Sequence, residues 1–153
     1  MVAFVPVSRD ALSTLTTAAI PGPVAAFGVT PGLCDTFSLP PAADEEAERT
    51  ALLLAGLSSL ISYGSRLVLV VEATPTDDGG GLGECTVDGV AWRDVSAIFA
   101  EPSEAQPAVS AAVAAVNGLD LDAAWDAEPV QTLMQEHDLL WYGPEEVDAL
   151  LGA

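Results

Sequence analysis

Apolar residues along this chain recur at two spacings, and segments of the two kinds alternate. Residues 2–7 are a short β-branched and aromatic run, read as a buried strand with Pro6 near its end. Ser8 is placed to cap a helix carrying Leu12, Leu15 and Ala19 on one face, stopped by Pro21-Gly22-Pro23. Residues 24–30 read as a second strand, and 33–43 as a proline-rich connection. Residues 44–63 carry acidic residues in the first turn, a broad leucine stripe and Gly64 as terminator, which predicts a long, heavily covered helix.

The uninterrupted apolar run in 66–72 predicts a strand buried on both faces. Residues 76–83 read as a flexible loop, and Asp88-Gly89 as the turn of a small hairpin. A strand is expected over 95–100, a helix from a capping box at Ser103 to Asn117-Gly118, and two short helices around Pro129. Residues 139–142 form a last strand, and Pro144 opens a terminal helix with Val147, Leu150 and Leu151 inward. Strand–helix alternation of this kind predicts one α/β domain over 1–153, with a mixed, mostly parallel sheet and helices on its faces.

A mostly parallel sheet gathers its ligand-binding groups at the carboxyl ends of the strands. That rim would hold Ser8, Arg9 and Asp10 after the first strand and Thr30 after the second. Glu72 and Thr74 would follow the third strand, and Tyr142 the last. Arg9 could orient an anion and Glu72 serve as acid or base; the plainer reading makes Arg9 a neutraliser of nearby carboxylates and Glu72 an ordinary strand end.

Charge narrows the partners. Twenty-three acidic residues face four arginines and no lysine, for a formal net charge of −19. Polyanion binding requires phosphate neutralisation, so neither nucleic acid nor an anionic membrane surface is an expected partner. Cys34 and Cys85 are far apart and no secretory leader is evident, so a cytoplasmic setting with reduced thiols is expected. No metal is expected: His137 is the sole histidine and no metal-ligand spacing occurs. No cofactor is expected either, since a phosphate-binding lysine loop is absent and Schiff-base chemistry needs a lysine. His137, between Glu136 and Asp138, could act as a base or simply be a solvated residue.

Trp141-Tyr142 is the most distinctive stretch. It serves either as core packing or as a docking patch. From Asp120 to Asp148 there are nine carboxylates and no arginine, a one-signed field able to steer a basic protein. The residues support two functions. The first is a non-enzymatic interaction or regulatory module docking a basic partner through this region. The second is a small-molecule-binding or hydrolytic protein using Arg9, Thr30 and Glu72 at the strand-end rim.

The opening Val2-Ala-Phe-Val-Pro-Val-Ser8, the stretch His137-Asp-Leu-Leu-Trp-Tyr142 and Glu146-Val-Asp-Ala-Leu150, with Arg66-Leu-Val-Leu-Val and Asp94-Val-Ser-Ala-Ile98 between, resemble an uncharacterised family of short acidic actinobacterial proteins. The resemblance spans essentially the whole chain. It implies a lineage and a soluble intracellular setting, and carries no mechanism.

Overall fold

A computed structural model describes residues 1–152. The strands are β1 (Val2–Pro6), β2 (Ile20–Phe27), β3 (Leu67–Glu72), β4 (Thr76–Asp77), β5 (Glu84–Val90), β6 (Val95–Ala100) and β7 (Leu140–Tyr142). The helices are α1 (Arg9–Leu15), α2 (Pro31–Thr36), α3 (Asp44–Tyr63), α4 (Gln106–Val116), α5 (Leu121–Trp125), α6 (Glu128–Glu136) and α7 (Val147–Leu151). Single 3-10 turns lead into β6, α4 and α7.

The strands form one seven-stranded sheet in the order β4-β5-β2-β1-β3-β6-β7, and every neighbouring pair is antiparallel. The expectation of a mostly parallel sheet is therefore overturned. Strand–helix alternation and an apolar run report coverage on both faces, not the direction of the neighbours. Direction is set by the connections. The seven residues of α1 rise about 10 Å, less than the roughly 17 Å of a five-residue strand. The chain re-enters the sheet from the end it left, and β2 returns antiparallel to β1. Both β2 and β3 oppose β1, so they run parallel to each other with β1 between them.

Side chains alternate across the sheet as the pleat requires. Ala3, Val5, Leu69, Val71 and Ile98 meet Leu12 of α1 and Leu150 of α7 on one face. Phe4 and Val68 meet Ala51, Leu54 and Ala55 of α3 on the other. Leu57 and Leu60 of α3 join Val109, Ala112 and Leu133 in a second layer built with α4 and α6. Apolar residues surround so much of α3 because it is packed on both sides. Its end is fixed by Gly64 in the left-handed conformation, whose N–H donates to the Leu60 carbonyl.

Three local expectations also change. Helix α2 replaces part of the proline-rich connection: the Thr30 hydroxyl accepts from Leu33 N at 3.1 Å, with Pro31 as first helical residue. Strand β2 begins at Ile20 and takes Pro21-Gly22-Pro23 through a bulge, so these residues do not merely stop a helix. Asp88-Gly89 is no hairpin turn but lies within β5, with Gly89 opposite Pro21. A Cβ on Gly22 would overlap the Asp88 carbonyl, so glycine there allows the two backbones to approach.

Candidate site at the Arg66 end of the sheet

Antiparallel pairing places Leu67 opposite Ala100, which brings the residue before β3 beside the residue after β6. Those residues are Arg66 and Glu101. Arg66 is only 3% exposed. Its backbone N–H, Nε and Nη2 donate to the Glu101 carboxylate at 3.2, 2.9 and 2.6 Å. Nη2 also donates to the His137 carbonyl at 2.8 Å, tying β3 to the segment before β7. Gly56 of α3 lies over the Arg66 stem, where a Cβ would stand 3.5 Å from Cδ. Nearby, Ser59 accepts from Leu67 N at 3.1 Å and donates to the Ser65 carbonyl at 2.7 Å. Arg66 Nη1 is buried and meets no protein acceptor among the described residues.

Two clefts share Arg66 as a wall. The larger, about 480 Å³, is bordered by Arg9, Glu101, Ser103, Gln106 and Tyr142. The smaller, about 230 Å³, is bordered by Arg49, Leu53, Met134, His137 and Asp138. Arg49 Nη2 stands 4.0 Å from Asp138 Oδ1, and both side chains are exposed. Glu101 accepts three bonds from Arg66, which commits it to structure rather than to proton transfer.

The proposed rim does not assemble. Val2 lies opposite Glu72 and Pro6 opposite Val68, so Arg9, beyond the end of β1, is at the far end of the sheet from Glu72. Thr30 follows β2 and shares the Glu72 end, because β2 and β3 run the same way. Thr30 is buried as the cap of α2, and Glu72 is exposed. Arg9 Nη2 donates to the carbonyls of Leu150 and Leu151 at 3.0 and 2.9 Å, closing the C-terminal end of α7. Ser8 caps α1 by accepting from Ala11 N at 3.0 Å. Of the sequence candidates, Arg9 and Tyr142 do share a cleft, the larger one.

Trp141 is 58% exposed, on the outermost strand. It ends a cross-strand row that passes from Val68 through half-buried Phe99. Sequence reasoning missed Arg66, Glu101 and Gly56. The flanking charges of 66–72 and 95–101 are visible, but they pair only if the two strands are antiparallel neighbours.

Other chemistry is limited. Both cysteines are free. Burial, then the charges of Asp78 and Asp77, push the Cys85 thiol up to about 11, which leaves it protonated and inert at neutral pH. Among the described residues no group of three His, Cys, Asp or Glu is placed to hold a metal ion. Among the same residues no helix is long and apolar enough to cross a membrane.

No curated protein and no solved structure matches the chain. A family of unknown function (DUF6912) matches residues 1–151, and the chain belongs to it.

Proposed function

From that membership, which brings no activity with it, we propose that the chain is a non-enzymatic interaction module of the cytoplasm, acting as one domain. It docks a basic protein segment on β7. The observation that carries this reading is the exposure of Trp141 on an edge strand, with Leu140 beside it 45% exposed. Exposed indole is a preferred anchor of protein interfaces, because a large apolar body can be buried while its N–H finds a partner. An edge strand offers unpaired backbone groups to an added strand. The three residues of β7 accept only a short one, so side-chain burial and charge must supply the affinity. Nine carboxylates and no arginine from Asp120 to Asp148 favour a partner rich in lysine and arginine.

The test is affinity capture from cells at low salt, identification of the bound protein, and binding measurements with that protein purified. Trp141→Ala is expected to weaken binding about tenfold or more. Rising ionic strength is expected to weaken it further through the charged rim. A purified partner that binds Trp141→Ala as well as the parent, or no basic partner at low salt, refutes the reading.

A further inference from the structure

Two of the four arginines and the only histidine border the 230 Å³ cleft between α3, α6 and the segment before β7. In a chain of net charge −19 this concentration of cationic and N–H donor groups is unusual. The orientation of Arg66 adds a second observation. A guanidinium is planar, with Nε and Nη2 on one edge and Nη1 on another. Nε and Nη2 face Glu101, which lines only the larger cleft. Nη1 shares the outer end of the guanidinium with Nη2, which also donates to the carbonyl of His137, a residue bordering only the smaller cleft. Nη1 is buried beside that cleft and meets no protein acceptor among the described residues. Buried donors in folded proteins nearly always have a partner, so Nη1 marks a place where an acceptor belongs.

We infer that this cleft is a binding site for a small oxyanion, of the phosphate or carboxylate class, held between Arg66 Nη1, Arg49 and His137. Guanidinium donors match the oxygen geometry of these anions. The cleft is several times the roughly 30 Å³ that a water takes up in the liquid, enough for one such anion. Asp138 occupies the mouth, 4.0 Å from Arg49, as a side-chain anion of the kind the site attracts. Contacts between exposed, separated charges are weak. The entering anion replaces Asp138 at Arg49, and reaching the buried Nη1 requires the side chains of the cleft wall to shift. Leu53 and Met134 give the cleft an apolar wall beside these donors. Trp141 lines neither cleft, so its test reads a different place, while Asp138 belongs both to this cleft and to the acidic stretch of the docking surface.

The experiment is an amide NMR titration of the full chain with inorganic phosphate and, separately, with acetate, at constant ionic strength. Saturable shifts are expected at Arg49, Leu53 and residues 134–139, and the anion giving them identifies the class. Arg49→Gln is expected to raise Kd about tenfold. Arg93→Gln, a change to an exposed arginine outside both clefts, should leave Kd unchanged. Neither anion giving saturable shifts there, Arg49→Gln binding as the parent does, or Arg93→Gln weakening binding equally would each overturn the site. None of these outcomes touches the Trp141 test.

Discussion

Arg66 and Glu101 meet through a guanidinium–carboxylate bond of 2.6 Å, with Arg66 nearly closed off from solvent. The pair joins the start of β3 to the residue after β6, and its other contact reaches the chain before β7. Removing one member strands the other charge in the interior. Glu101→Ala is expected to destabilise the fold by about 3–5 kcal/mol, read from urea denaturation. The paired apolar change, Arg66→Met with Glu101→Leu, should recover most of that loss. A double variant no more stable than Glu101→Ala contradicts this account.

Arg9 acts on α7 rather than on a ligand. Arg9→Ala removes two bonds to the last helical carbonyls. A loss of about 1 kcal/mol is expected, with faster hydrogen exchange confined to α7 and its contacts. Uniformly faster exchange across the sheet would contradict so local a role.

Trp141 is an exposed edge residue, whereas Leu57 is buried where α3 meets the second helical layer. Trp141→Ala should change stability by no more than about 0.5 kcal/mol. Leu57→Ala should cost about 2–5 kcal/mol. The comparison shows whether Trp141→Ala is a clean probe of docking.

Cys85 is sealed in the core and its thiol titrates near 11, because burial and then Asp78 and Asp77 disfavour the thiolate. A thiol reagent at pH 8 should therefore modify half-buried Cys34 first and reach Cys85 only on unfolding. The folded state holds the Cys85 proton more tightly than the unfolded chain does. Its stabilising contribution is therefore complete below the ordinary thiol value and declines as pH rises toward about 11. Cys85→Ala should flatten the stability profile in that alkaline window; an unchanged slope would count against the assignment.

Gly22 lies where the β2 backbone passes the Asp88 carbonyl, and any Cβ there overlaps it. Gly22→Ala should lower the urea midpoint and perturb amide shifts along β2 and β5. A variant with parental shifts at Asp88 and Gly89 would disprove the close approach.

Much of the local structure was legible in the residues. Acidic residues at 44–46 and Gly64 bound α3, and Pro129, in the first turn of α6, marks the start of the second of two short helices. Residues 67–71 announce a strand covered on both sides. These signals are local, depending on side-chain spacing, capping and backbone freedom. The departures lie where a distant segment decides. Asp88-Gly89 carries the signature of a hairpin, yet its glycine serves an approach by Pro21, far away in sequence. Thr30-Pro31 has the signature of a helix start, and the following prolines obscured it.

The candidate site was the least legible part. Glu72 and Arg9 share a rim only where the strands run parallel, and β1 and β3 are antiparallel. Arg66 and Glu101, 35 residues apart, become partners only through antiparallel pairing. The residues by themselves determined which segments are strands and helices, and that nearly all charge stays in water, since these follow from periodicity and the cost of desolvation. Only the tertiary structure decided strand direction, and with it which ends of the chain's elements meet. A strand's side chains look alike to neighbours running either way, while backbone pairing and the reach of each connection do not.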